Sequence, residues 1–258
     1  MKYFFSDEGY PALKSLASDD KVLIGLDFDD TLAPIMRDPP RAQMSMPMAH
    51  ELERLCAVTP VAIISERELG DLEQRVTARD SYLIGNHGNA GLAAVPVAGS
   101  ACRNVCAEWT KQLQRTPESR ADGVFIEPKG YAISIHYRLA NDHLVTQRKL
   151  SRLFVSLKPA PRMVHGKCVF DLIPPGAVCK DNTMGLLLKQ AQPDAVLYVG
   201  DDESDELVFA SAPPDWITVR VGYWSHSAAK YYLRCQREVR DLLLLLNLRL
   251  RLAVSTST

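Results

Sequence analysis

The sequence predicts an α/β fold, a parallel sheet flanked by helices, with an α+β domain inserted into it. Three observations predict it. The run Val22-Leu-Ile-Gly-Leu26 is continuously apolar, as a strand buried on both faces at the centre of a parallel sheet must be. Short apolar runs alternate with helical patterns in the first and last thirds of the chain, the rhythm of βαβ units. Between about Ala90 and Ile173 that rhythm gives way to helix, hairpin, helix and strand. The expected division is a core over residues 1–89 and 174–258, and an insertion over 90–173. A chain of 258 residues is long enough for each part to bury its own core.

Each element has a local reason. After the first strand, Asp38-Pro-Pro40 reads as a loop. A helix follows from Pro47, which suits a first turn, to about Val58, with Leu52, Leu55 and Val58 near helical spacing. Pro60 to Ile64 is a second strand, ending in Ser65-Glu66-Arg67; Glu68 to Val76 is helical; Tyr82 to Gly85 is a third strand, ending in Asn86-His87-Gly88. Strands ending in small or polar residues can bring their ends to one pocket. In the insertion, Cys102 to Gln114 forms a helix carrying Trp109 and Leu113. Two β-rich arms within residues 123–138 join through Pro128-Lys129-Gly130 as a hairpin. His143 to Leu157 is a helix and Cys168 to Ile173 a strand. The α/β rhythm resumes with a helix over Asn182–Gln192, a strand over Ala195–Val199, an acidic loop from Gly200 to Glu206, and a strand over Trp216–Val221. Ser227 to Asn247 is mostly helical, Leu242 to Leu246 being its buried part and the tail from Ser255 frayed.

Composition narrows the function. A net charge near −1 gives no basis for electrostatic capture of nucleic acid. The five leucines from Leu242 fall far short of the roughly 20 apolar residues that span a bilayer, so no membrane partner is expected. Met1 to Glu8 lacks the apolar core of a signal peptide. The six cysteines form no C-x-x-C pair. Cys102 and Cys106 share a helical face without nearby histidines, so reduced thiols in a cytoplasm are expected. No cue to assembly is present, and a monomer is favoured.

Two stretches carry chemistry. Asp27 and Asp29 stand at the carboxyl end of the first strand, two residues apart, where open parallel sheets bind ligands. Two such carboxylates repel unless a cation neutralises them or one keeps its proton. Asp201, Asp202 and Asp205 follow Gly200 at the end of a later strand. Acids in a first helical turn have a structural reason in the helix dipole, but adjacent aspartates at a strand end fit a hard cation such as Mg²⁺ better. Lys180, in its bland reading a solvated surface residue, is placed to neutralise a carboxylate and a phosphoryl group. Ser65 reads equally as a phosphate donor or a helix cap.

Taken in order, DFDDT from Asp27, Ser65, Lys180 and GDDESDE from Gly200 resemble the four motifs of haloacid dehalogenase superfamily phosphatases, with a C2-type cap between the second and third. DFDDTLAPIMRDPPRA, Ser65-Glu66-Arg67, Gly85-Asn86-His87-Gly88, EPKGYAISIHYR and GDDESDE are more closely similar to trehalose-6-phosphate phosphatases over roughly residues 20–225. The resemblance implies a Rossmannoid core and a cap that sets substrate specificity. It implies that Asp27 attacks phosphorus to form an aspartyl-phosphate and that Asp29 acts as general acid and then base. It implies that Ser65 and Lys180 hold phosphoryl oxygens. Mg²⁺ would be held by Asp27, the Asp29 carbonyl and Asp201, with Asp202 or Asp205 in support. Arg67, His87, Glu127, Lys129, Arg138 and Asp171 would bind the sugar phosphate. As a bland reading, Glu127 and Lys129 are a solvated cross-strand pair.

Several positions depart from the family pattern. Asp30, Glu66 and Asp181 replace glycines, Asp171 replaces a longer glutamate, and Asn89-Ala90 replace an acid after His87-Gly88. The implied activity is hydrolysis of trehalose 6-phosphate. A phosphatase for another phosphorylated sugar or glycoside, and a degenerate sugar-phosphate-binding protein, are the alternatives.

Overall fold

A computed structural model describes residues 1–16, 21–36, 41–92, 99–129, 131–166 and 168–256. The expected Asp38-Pro-Pro40 loop and Gly130 of the hairpin turn lie outside the described residues. The chain forms two compact units, one of residues 1–92, 180–201 and 205–258, the other of residues 93–179 and 202–204.

The first unit is built on a fully parallel seven-stranded sheet. In chain order its elements are β1 (Lys2–Tyr3), α1 (Tyr10–Leu16), β2 (Val22–Leu26), α2 (Met46–Cys56), β3 (Val61–Ile64), α3 (Leu69–Arg75) and β4 (Tyr82–Ile84). After the insertion come α6 (Lys180–Ala191), β9 (Ala195–Gly200), α7 (Glu203–Ser211), β10 (Ile217–Val221), β11 (Tyr231–Leu233) and α8 (Arg237–Thr256). The strand order is β1-β11-β10-β9-β2-β3-β4.

Strand alternation divides the core into two layers. Val22, Ile24, Leu26, Val61, Ile63, Leu197 and Val199 pack on one face with residues of α1, α2 and α8. Leu23, Ala62, Ile64, Val196 and Tyr198 pack on the other with residues of α6 and α7. This is the double coverage that continuous apolar strands require. Ser45 caps α2 by accepting the Met48 N–H at 3.3 Å, with Pro47 in the first turn. In α8, Leu242, Leu243, Leu246 and Leu250 form a buried stripe. The buried Asn247 ties this helix to α2 by donating to the Glu51 carbonyl at 2.9 Å. Among the described residues no helix is long and apolar enough to cross a membrane.

The second unit holds α4 (Gly99–Leu113), β5 (Phe125–Pro128), β6 (Ile133–His136), α5 (His143–Val155), β7 (Arg162–Gly166) and β8 (Val169–Ile173). Its antiparallel sheet has order β5-β6-β8-β7, a separate layer of the kind a cap needs. Ile133, Ile135, Phe170 and Leu172 pack beneath Trp109, Leu113, Leu150 and Phe154.

Three strands depart from the sequence reading, β1 among them, which with α1 precedes the first strand read from the sequence. The edge strand β7 follows Pro159 and Pro161, and its Arg162-Met163-Val164-His165-Gly166, exposed at its start and buried at Val164 and Gly166, carries neither an apolar run nor a clean alternation. β11 falls inside a stretch expected to be helical. It is three residues long and exists through parallel pairing with β10 and β1. The terminal helix accordingly starts at Arg237, and it continues to Thr256, past the point where fraying is expected.

Candidate active site

The strand order reverses direction at β2. The chain proceeds outward through β3 and β4 on one side and returns through β9 on the other. In open parallel sheets the crevice beyond the carboxyl ends at such a switch point is where ligands bind. Asp27 follows β2 directly, its N–H donating to the Val199 carbonyl of β9 at 2.9 Å. The chain then turns tightly, with the Leu32 and Ala33 N–H groups both donating to the Phe28 carbonyl. Within this turn Asp30 has φ 54°, the left-handed region that favours glycine and that aspartate tolerates better than most residues. That explains how an aspartate stands where the family pattern has glycine.

At the switch point lies a buried charged cluster. Carboxylate oxygens of Asp27, Asp201 and Asp205 lie within 4.8 Å of one another. Lys180, in the first turn of α6, donates from Nζ to Asp27 Oδ1 at 2.7 Å and to Asp205 Oδ1 at 2.8 Å. Tyr198 donates its hydroxyl to Asp205 Oδ1 at 2.8 Å, and the Asp201 N–H donates to Asp205 Oδ2 at 2.9 Å. Asp205 is thus an anchor on which the others are hung. Two glycines make the arrangement fit. A Cβ on Gly200 would come within 2.2 Å of Asp205 Cγ, and one on Gly25 within 2.6 Å of Tyr198 Cδ2.

The electrostatics follow from burial. Loss of water pushes Asp27 well above the ordinary carboxylate range, Lys180 pulls it back, and Asp205 and Asp201 push it up again. Burial alone would lower the Lys180 ammonium, but Asp205 and Asp27 outweigh it and hold the group charged well above the usual lysine value. Burial raises Tyr198 well above its usual value, and Asp205 adds to the effect, so its hydroxyl keeps its hydrogen. Three carboxylates against one ammonium leave a surplus of negative charge on oxygen ligands. This donor set fits a hard divalent cation.

A second group surrounds Asp29. Arg67 forks onto it, Nε to Oδ2 and Nη2 to Oδ1, both at 2.7 Å, and reaches Asp71 from Nη1 at 2.8 Å. The guanidinium also lies 5.4 Å from the Phe28 ring centroid. Burial works against the Arg67 charge, while Asp29 and Asp71 more than offset it and raise the group further. Ser65 is buried, and its Oγ accepts the Arg67 N–H at 3.2 Å. It therefore shapes the turn after β3 and does not cap α3, whose N-cap is Glu68. The turn after β4 is stitched to the same loop by Asn86 N–H to the Arg67 carbonyl and His87 N–H to the Ser65 carbonyl. Asn86 and His87 both have positive φ, 54° and 58°, local strain of the kind that accumulates at functional sites. Glu66 points its carboxylate at His87 Nδ1, 3.6 Å away. Asp181 lies in the first turn of α6, where the helix dipole favours a carboxylate.

The remaining candidates lie in the second unit. Glu127 is on β5, with Lys129 just beyond it and its Nζ 4.0 Å from Glu127 Oε2. Asp171 is buried on β8 and accepts the Ser134 hydroxyl. Arg138 is exposed beyond the end of β6. Asp202 also groups with this unit, Oδ1 accepting the Glu203 N–H at 2.8 Å. The sequence reading missed Tyr198 and Asp71. A lone hydroxyl in an otherwise apolar strand is the cue for the first, since a buried tyrosine needs a partner. The i,i+4 spacing of Arg67 and Asp71 is the cue for the second.

Residues 25–236 match the family model described as trehalose-phosphatase. A trehalose-phosphate phosphatase of Mycobacterium tuberculosis is 30% identical over 213 residues, covering 76% of this chain and 52% of that protein. The chain thus spans about half the length of the curated relatives it matches. The C-terminal domain of Candida albicans trehalose-6-phosphate phosphatase superposes with a TM-score of 0.73 at 22% identity, covering 92% of this chain and 96% of that one. A sugar phosphatase of subclass IIB of the haloacid dehalogenase superfamily superposes with a TM-score of 0.57 at 14% identity, over 87% and 98% of the chains. The parallel core with its separate antiparallel layer is therefore the haloacid dehalogenase fold, and the chain belongs to the trehalose-phosphatase family.

Proposed function

We propose that the chain is a Mg²⁺-dependent phosphatase that hydrolyses trehalose 6-phosphate to trehalose and phosphate. The observation that carries this reading is the buried cluster of Asp27, Asp201 and Asp205 with Lys180 between two of them. A merely structural core has no reason to gather so many like charges, because each buried carboxylate opposes its neighbours.

Asp27 is the nucleophile. Its carboxylate oxygen attacks phosphorus, the sugar oxygen leaves, and water then hydrolyses the aspartyl-phosphate, so that one hard displacement becomes two easier ones. Asp29 gives a proton to the departing sugar oxygen and takes one from the attacking water. Lys180 keeps Asp27 oriented and offsets repulsion between its carboxylate and the incoming phosphoryl group. Ser65 donates to a phosphoryl oxygen. Asp27, Asp201 and the Asp29 carbonyl would hold the cation, with Asp202 or Asp205 in support. When bound, Mg²⁺ withdraws charge from the phosphoryl oxygens. The second unit, expected over residues 90–173, supplies specificity in this reading, with Glu127, Lys129, Arg138 and Asp171 reading sugar hydroxyls; His87 is assigned to the substrate as well. All six cysteines are free thiols, in keeping with a cytoplasmic setting.

The family resemblance assigns Arg67 to the substrate, but its fork onto Asp29 supports a positioning role. Arg67→Lys keeps the charge and loses the fork. It is expected to lower kcat about 100-fold, the order found for small misplacements, while KM changes little. A rise in KM at constant kcat would return Arg67 to the substrate.

The reading is tested by phosphate release from trehalose 6-phosphate, glucose 6-phosphate, sucrose 6-phosphate and an aryl phosphate, each with Mg²⁺ and with chelator. A Mg²⁺-dependent preference for trehalose 6-phosphate is expected. Preference for another sugar phosphate would retain the chemistry and change the substrate, whereas silence on all four from folded protein would support a binding role.

A further inference from the structure

The antiparallel sheet of the second unit has one face covered and one face rich in chemistry. Ile126, Ile133, Ile135, Phe170 and Leu172 point to the core under α4 and α5. Register fixes the opposite face. Phe125 pairs with His136, Glu127 with Ser134, and Ser134 with Asp171, so strand alternation gathers these residues on one side. Phe125 is 63% exposed, on the edge strand β5. A large apolar ring on an open edge is a feature that folded proteins usually avoid.

The polar groups around this ring are already ordered. The Phe125 and His136 rings lie 6.1 Å apart with their planes 30° from one another. His136 Nε2 is 2.8 Å from Glu127 Oε2. An ionised carboxylate only accepts, so Nε2 carries the hydrogen and the contact fixes both side chains. Lys129 Nζ approaches the same Glu127 oxygen at 4.0 Å. An apolar flat face beside a few fixed charged groups is what a small polar ligand with one apolar side requires. A pyranose ring is such a ligand, with C–H bonds on its faces and hydroxyls around its rim.

We propose that Phe125 is a stacking platform for one hexose ring of the substrate, and that His136 is a positioning residue holding Glu127 toward that ring's hydroxyls. The proposal rests on the sugar-phosphate reading given above and adds two residues to it. Phe125 contributes no chemistry to the phosphoryl transfer, so its effect belongs to binding.

The test uses the full chain and compares trehalose 6-phosphate with a small aryl phosphate. Phe125→Ala and Phe125→Leu are each expected to raise KM for trehalose 6-phosphate about tenfold, the order of losing one apolar contact in a specificity pocket. Turnover at saturation, and all activity on the aryl phosphate, should hold. Phe125→Trp should keep the wild-type KM. His136→Ala should raise the sugar-phosphate KM alone, and His136→Gln, which keeps a donor, should restore it. Unchanged KM in Phe125→Ala, full rescue by leucine, or equal losses on both substrates would overturn the platform. Equal loss in His136→Ala and His136→Gln would overturn the positioning role. A second readout separates this proposal from the catalytic one. The fluorescence of Phe125→Trp, referenced to wild type, is titrated with unphosphorylated trehalose. If the wild type hydrolyses no sugar phosphate, the catalytic reading fails. A saturable fluorescence change then still supports the platform, and a flat titration overturns it.

Discussion

Asp27→Asn is expected to lower turnover of trehalose 6-phosphate by a factor on the order of 10⁴–10⁶, the scale of losing a covalent nucleophile. The side chain is nearly isosteric, so the turn from Phe28 to Ala33, which is held by backbone hydrogen bonds, should survive. The change also removes one of three clustered negative charges, so the variant should be at least as stable as the wild type to heat. Retained stability with lost turnover locates the defect in chemistry. Residual activity within about 100-fold of wild type would mean that water attacks phosphorus directly, since an amide is no substitute for an attacking carboxylate.

Lys180→Met is expected to have the largest combined effect. Lys180 is 2% exposed and donates to both Asp27 and Asp205. Removing one partner of a buried ionic network leaves uncompensated charge and destabilises by about 3–5 kcal/mol, and turnover should fall with it. The pH dependence has a definite sign. Asp27 in the folded protein lies well above its ordinary value, so the folded state binds that proton more tightly than the unfolded chain. Stability from this group therefore falls as pH rises between its unfolded and folded values. Without Lys180 the effect grows, so the deficit of the variant should shrink as pH is lowered through the carboxylate range. The raised Lys180 in the wild type contributes stability that is fully present below the ordinary lysine value. That contribution is lost only as pH rises through the higher folded value. Thermal unfolding of both proteins across pH checks this. A deficit independent of pH would mean that lost packing, not charge, dominates.

The core was legible because its strands are continuous apolar runs. β2, β3 and β9 each bury every residue or nearly so, and a run with no polar interruption has few other places to go. The acidic cluster was within reach for a related reason, since Asp27 and Asp201 both stand at carboxyl ends of neighbouring central strands. What sequence alone missed depends on tertiary partners. β11 is a strand because β1 and β10 pair with it, not because of its own three residues. Arg67 carries no mark of whether its fork meets a phosphate or Asp29. Asp30 looks like a damaging departure until its positive φ is seen, after which aspartate is among the residues best able to replace glycine there. Glu66 and Asp181 are explained likewise, by His87 and by a helix N-terminus.

In the proposed mechanism the phosphoryl group passes through Asp27. The most direct test mixes the protein with Mg²⁺ and trehalose 6-phosphate radiolabelled in the phosphate, and quenches in acid at short times. Label should appear on the protein, map to the peptide containing Asp27, and rise and fall ahead of free phosphate. It should be absent from Asp27→Asn. Phosphate release at the full rate with no protein-bound label at any time, under conditions that preserve an acyl phosphate, would mean that Asp27 never carries the phosphoryl group.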